Sequence, residues 1–317
     1  MDASGKSFFT SYLAEAGRAA PPPEPELDPP FDTREPDALR CPLVFSSPHS
    51  GNVYPARFLG SAKLDALTLR RSEDAYVDEL FAGVLSLGAP LIRARFPRAY
   101  LDVNREPYEL DPRMFDGRLP AFANTRSIRV AGGLGTIARV VGEAQEIYAR
   151  RLPVDEAIRR IEGLYKPYHR TLQGLLQRAR ARFGVAVLVD CHSMPSASAG
   201  NAGVLHRSKT DFVLGDRYGT SCQQNFVDIV EYELRRRGFV VQRNKPYAGG
   251  FITEHYGQPA TGCHALQIEV NRSLYMDEAD LSRGPRFEEL ALALREIAET
   301  LAIALCNGLP GQRAAAE

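Results

Sequence analysis

No stretch of the sequence approaches the ~18 consecutive apolar residues that a membrane span needs. The N-terminus also lacks the charged-then-apolar plan of a secretory signal. There is no C-x-x-C pair, and the five cysteines (Cys41, Cys191, Cys222, Cys263, Cys306) are too scattered for a disulfide frame or a structural zinc knot. They read as thiols of a reducing compartment. Neither charge sign dominates: 39 Lys plus Arg balance 39 Asp plus Glu across 317 residues. That balance excludes a surface built as a whole for nucleic acid or anionic lipid. What is present, 44% hydrophobic and 25% charged residues, is the composition of a chain with a folded core. A soluble cytoplasmic enzyme is the class these features leave.

Proline is too dense between Ala20 and Pro42 for a helix or a strand ladder. The sequence therefore divides into an N-terminal arm over 1–41, with one short helix expected in 1–20, a single domain over 42–309, and a flexible tail over 310–317. Within the domain, short apolar runs alternate with helical patterns. Strands are expected at Pro42–Phe45, Pro90–Phe96, Ala99–Val103, Val185–Val189, Phe239–Gln242 and Ala265–Val270. Helices are expected at Leu64–Leu87, interrupted by polar residues near Ser72, and at Asp155–Phe183, where Gly163 and Pro167 should kink or split it. Two more are expected at Ser221–Arg237 and Phe287–Leu305. Strands alternating with helices predict an α/β sandwich with a largely parallel sheet, whose ligands gather at the carboxyl ends of the strands.

Those ends are polar. They read His49-Ser50-Gly51, Asn104-Arg105, Asp190-Cys191-His192 and Gln267-x-Glu269-x-Asn271-Arg272. A catalytic zinc takes three His or carboxylate ligands and keeps one position open. His49 and His192 offer the imidazoles; Asp74 is the first choice of carboxylate, with Glu73 and Asp78 as alternates. Alternation along a strand puts Asp190 and His192 on one face and leaves Cys191 as a core thiol. Glu269 is the candidate proton acceptor, or else half of a buried ion pair with Arg105 or Arg272. Those two arginines could bind a substrate carboxylate through both arms of the guanidinium. No H-E-x-x-H signature is present.

At these residues the chain resembles the N-formylglutamate amidohydrolase (deformylase) family. The likeness is carried by Pro48-His49-Ser50-Gly51, Glu73-Asp74, Asp102-Val103-Asn104-Arg105, Gly133-Leu134-Gly135, Tyr165-Lys166-Pro167-Tyr168-His169, Asp190-Cys191-His192-Ser193 and His264 through Arg272. The resemblance implies a three-layer α/β sandwich with a mostly parallel mixed sheet, like zinc exopeptidases and phosphorylase/hydrolase-like proteins. It implies hydrolysis of N-formyl-L-glutamate to L-glutamate and formate. By position, His49, Asp74 and His192 would hold zinc, with manganese, iron or cobalt acceptable, and Glu269 would be the base. Asn104, Arg105, Asn271 and Arg272 would meet the glutamate carboxylates. His264 would stabilise the tetrahedral oxyanion, or be an ordinary buried histidine. Another N-acyl amino acid or a peptide or cell-wall amide as substrate, and a non-catalytic binding protein on the same scaffold, are the competing readings.

Overall fold

The computed structural model describes residues 24–199 and 210–307; the short helix expected within 1–20 and the tail over 310–317 lie outside them. Strands β1 (Phe31–Arg34), β2 (Leu43–Ser47), β3 (Leu91–Ala94), β4 (Ala186–Met194), β5 (Phe212–Gly215), β6 (Val241–Arg243) and β7 (Cys263–Asn271) form one sheet in the order β1-β3-β2-β4-β7-β5-β6. The four central strands are parallel. β1 joins antiparallel at one edge, and β5 turns back antiparallel against β7, with β6 parallel to it. The sheet is therefore mixed and mostly parallel, as the sequence predicts.

The apolar run ending at Val189 grows into the nine-residue β4, buried along its whole length. It is covered on both faces, as such continuous runs require. On one side, Ala186 and Leu188 meet Tyr168, Leu172, Leu175 and Ala179 of a long helix. On the other, Val187, Val189 and Cys191 pack with Val77, Phe226, Val230, Leu290 and Leu294. The result is three layers. Besides the short helices Ala56–Ser61, Ala66–Arg70 and Ile128–Ala131, the helices among the described residues are α1 (Val77–Leu80), α2 (Val154–Arg160), α3 (Lys166–Phe183), α4 (Gln224–Arg236), α5 (Phe251–Tyr256) and α6 (Phe287–Cys306). None of the helices among the described residues is long and apolar enough to cross a membrane. Gly163 falls in a π-helical turn, Ile161–Tyr165, that joins α2 to α3 without leaving helical backbone, and Pro167 follows directly after it.

Three expectations change. Ala99–Val103 is not a strand: a turn pairs the amides of Tyr100 and Leu101 with the Pro97 carbonyl, and Asp102 N–H goes to Thr136. The sheet edge beyond β3 is already taken by β1. The proline-rich arm, from residue 24 onward, supplies that edge strand, and Leu27 is buried in the core. Finally, Leu64–Leu87 is not one helix. It breaks into Ala66–Arg70, α1 and a 3₁₀ turn, Ala82–Leu87, with Ser72–Tyr76 between the first two. That break carries Asp74 onto the loop after β2, where its N–H donates to the His49 carbonyl.

Candidate active site

The carboxyl ends of β2, β4 and β7 and the loops around them line a cavity of about 720 Å³. The loop after β2 carries His49. Ser50 ties it to the helix break, donating from Oγ to the Asp74 carbonyl and accepting from the Asp78 amide. β4 delivers His192 and β7 delivers Glu269, directly opposite one another in the parallel ladder. His49, Asp74 and His192 are brought together, with one ligand atom from each lying within 4.8 Å of the others. Asp74 is the carboxylate of this group. Glu73 accepts from Tyr54 and Arg70, and Asp78 pairs with Arg93.

Each imidazole is oriented from behind. His49 Nε2–H donates to Asp102 Oδ1 at 2.7 Å. Its Nδ1 is then left with a lone pair, buried, without a hydrogen bond among the described residues, and 3.4 Å from Asp74 Oδ2. His192 Nε2 lies 3.0 Å from Asp190 Oδ2, and its Nδ1 lies 3.0 Å from Asp74 Oδ2. Asp74 Oδ1 accepts from Arg272 at 3.0 Å, so Oδ2 faces both histidines. Burial alone would raise the Asp74 carboxyl, but the hydrogen bond from His192 holds it well below its ordinary range. Burial likewise opposes a charged His192, yet Asp190 and Asp74 carry its pKa well above the usual histidine value. The orphaned Nδ1 of His49 and Nδ1 of His192 both face Asp74 Oδ2, the convergence a cation site needs. Two imidazoles and a carboxylate, each imidazole backed by a second carboxylate, fit a divalent metal.

Glu269 lies beside the group, its Oε1 accepting from Gln267 Nε2 at 2.9 Å. The Gln267 amide cannot turn over, because its Oε1 accepts from the Gly250 amide. Burial pushes Glu269 up to about 7, with Asp74 adding to the rise and His192 opposing it. Asn104 lines the cavity, held by the Ile252 amide on its Oδ1. A side chain at residue 250 would strike that amide at 2.4 Å, so the close approach requires glycine. Arg105 and Arg272 also line the cavity. Arg105 donates to the Leu134 and Asn104 carbonyls, and Arg272 to Ser193, the Arg71 carbonyl and Asp74.

Two predicted residues are elsewhere. His264 is five positions from Glu269, an odd spacing that turns it to the opposite face of β7. There it packs edge-on against Phe226 and accepts from the Gln223 amide. Burial drops its pKa to about 4, and it has no part in the cavity. Asn271 shares the Glu269 face but is not in the cavity lining: it donates to the Thr210 carbonyl and caps the Ser273 amide. Cys191 is a core thiol, raised well above its usual pKa by burial. Asp102 and the cavity arginines Arg71, Arg98 and Arg129 are the contributors that sequence reasoning missed. The Asp102-x-Asn104 spacing, parallel to Asp190-x-His192, was the available signal for the first.

An α/β sandwich with an oriented His-Asp-His group and a buried carboxylate at the ends of its parallel strands defines a hydrolase with a site able to hold a metal. The chain belongs to the N-formylglutamate amidohydrolase family, whose model matches residues 41–276. It is 30% identical over 274 residues to an N-formylglutamate deformylase of Pseudomonas aeruginosa, spanning 83% of this chain and 93% of that one. The Pseudomonas putida deformylase is 29% identical over 244 residues, spanning 76% of this chain and 84% of that one. A crystal structure of N-formylglutamate amidohydrolase from Ralstonia eutropha JMP134 superposes with a TM-score of 0.82 at 38% identity, covering 88% of this chain and 99% of that one.

Proposed function

We propose that this chain hydrolyses N-formyl-L-glutamate to L-glutamate and formate, with one divalent ion, zinc first among candidates, held by His49 Nδ1, Asp74 Oδ2 and His192 Nδ1. The observation that carries the reading is the buried, unpartnered Nδ1 of His49, aimed at Asp74 while Asp102 fixes the far side of the ring. When bound, such an ion polarises the formyl carbonyl and lowers the pKa of a water molecule. Glu269, its pKa pushed up to about 7 by burial, is placed to take a proton from an attacking water and return it to the departing amine nitrogen. Gln267 holds the carboxylate in place for both transfers. Asn104, Arg105 and Arg272 wall the substrate, Arg272 also holding Asp74. The five unpaired cysteines suit a reducing compartment, and we place the reaction in the cytoplasm.

The test is metal-restored turnover. The protein is stripped with chelator, reloaded with zinc, manganese or cobalt, and assayed for formate and glutamate release beside His192→Ala and Glu269→Ala. Turnover restored by metal and abolished in both variants is the expected result. Metal bound one to one without formate release from N-formyl-L-glutamate would overturn the substrate, and turnover unaffected by chelation would overturn the metal.

A further inference from the structure

The arginines around the cavity are of two kinds. Arg105 and Arg272 spend donors on protein carbonyls, Ser193 and Asp74. Arg98 donates to Asp102 at 2.9 Å, and Arg217 pairs with Glu254 at 2.8 Å. Arg129 and Arg71 line the same cavity, and among the described residues neither guanidinium has an ion pair or a hydrogen bond. Arg71 is exposed to solvent, whereas Arg129 is half-buried. An unpaired charge taken partly out of water is costly unless a ligand completes it.

The position of Arg129 is built. It lies in a short helical turn, Ile128–Ala131, whose backbone is tied to Arg105 through a single residue, Leu134. Leu134 N–H donates to the Arg129 carbonyl at 2.8 Å, and the Leu134 carbonyl accepts from Arg105 Nε at 2.9 Å. Arg98 and Arg105 already share Asp102, so Arg129 adds a positive charge that this flank does not balance. Burial first, and then the charges of Arg98 and Arg129, bring the Arg105 guanidinium down to about 10 against the opposing pull of Asp102 and Glu109. The adjoining wall is small and apolar, with Gly135, Ala138 and Val140. Such a wall accepts methylene groups and offers no competing side-chain donor.

We propose that Arg129 receives the side-chain carboxylate of the substrate in a two-pronged pair, and so selects N-acyl amino acids that carry a second carboxylate. The inference rests on reading the chain as a hydrolase of N-formyl amino acids. Arg129→Gln and Arg129→Lys are compared with the parent, all metal-loaded, on N-formyl-L-glutamate and N-formyl-L-glutamine. These substrates differ only in whether the side chain ends in a carboxylate or an amide. In Arg129→Gln the ratio of their kcat/KM values falls about 100-fold, chiefly through KM, as expected for a lost charge-assisted pair; Arg129→Lys recovers part of it. Equal losses on both substrates, or a ratio moved by Arg71→Gln and not by Arg129→Gln, would overturn the assignment. Calorimetric titration with glutarate and butanoate reads the subsite without turnover. The parent prefers glutarate and Arg129→Gln loses the preference. A glutarate preference lost in Arg129→Gln, without turnover of either formyl substrate, would sink the hydrolase reading and keep the subsite. No glutarate preference in the parent would overturn the proposal itself.

Discussion

Replacing Asp102 by asparagine keeps the shape of the side chain and removes one charge, and the surrounding bonds set the damage. Asp102 Oδ1 accepts from His49 Nε2 at 2.7 Å and from the Asn104 amide at 2.8 Å, while Oδ2 accepts from Arg98 at 2.9 Å. An asparagine has one acceptor and one donor end. With its oxygen toward His49, its NH2 faces the Arg98 guanidinium; turned over, it confronts two N–H donors and drives the His49 proton onto Nδ1, the atom offered to the metal. Either arrangement weakens the site. Metal affinity should fall by about 10- to 100-fold, the usual effect of losing a partner behind a ligating imidazole. Metal-free stability should fall by about 3 kcal/mol, because a buried pair loses its anion and leaves the cations behind. Burial opposes ionisation of Asp102, but Arg105, His49 and Arg98 hold its pKa well below the usual carboxylate value. A depressed folded pKa means its contribution is complete above the unfolded value of about 3.9 and disappears as pH falls through the folded one. Asp102→Asn should therefore lose less stability than the parent on acidification below about pH 4. Isothermal titration with zinc and urea unfolding at several pH values measure both effects. Zinc affinity and stability both within twofold and 0.5 kcal/mol of the parent, roughly the error of such measurements, would refute the reasoning.

The same geometry sets four further outcomes. Glu269→Gln should lower kcat/KM by about 10²- to 10⁴-fold while zinc affinity, read by titration, changes far less; a loss of metal in proportion to activity would move Glu269 from base to ligand. In the parent, the acid limb of kcat/KM should lie at or below pH 7, since burial sets the metal-free value near 7 and a bound cation only lowers it; a limb above pH 8 would contradict this. Metal uptake should release a proton from between His192 and Asp74, so affinity weakens as pH falls; calorimetry in buffers of different ionisation enthalpy counts the protons, and a count of zero would rule the arrangement out. Gly250→Ala should cost about 1–3 kcal/mol in stability and most of the activity, because its methyl group meets the Asn104 amide; wild-type melting and turnover would show that the loop yields.

How far the sequence spoke depended on whether a residue's fate was local. β4 was legible because Ala186–Val189 is an unbroken apolar run, and the placement of Asp190, Cys191 and His192 followed from alternation alone. The interruption near Ser72 was visible as polarity inside a helical pattern, although its purpose, presenting Asp74 to His49, lives in tertiary contacts. β1 was hidden by the prolines around it, and the four-residue β5 carries too short a pattern to read. Asn271 was misassigned although Asn-x-Ser is itself a turn signal, with the side chain capping the amide two residues on. Arg129 was indistinguishable from other arginines until the chain folded, because what marks it is the partner it lacks among the described residues.

The pairing of β4 with β7 has a consequence for how this enzyme can change. His192 and Glu269 are register partners in a parallel ladder that runs nine residues, from Cys263 opposite Ala186 to Asn271 opposite Met194. The backbone gap between His192 and Glu269 is thus a sheet spacing, about 4.8 Å, set by the ladder and not by a loop. A single inserted or deleted residue in either strand would bring a core side chain to the reaction centre and send the working one into the opposite layer. The connection between β3 and β4, which carries Arg129 and the apolar wall, is under no such lock. Evolution can re-cut the substrate there while the chemical distance stays as the backbone ladder wrote it.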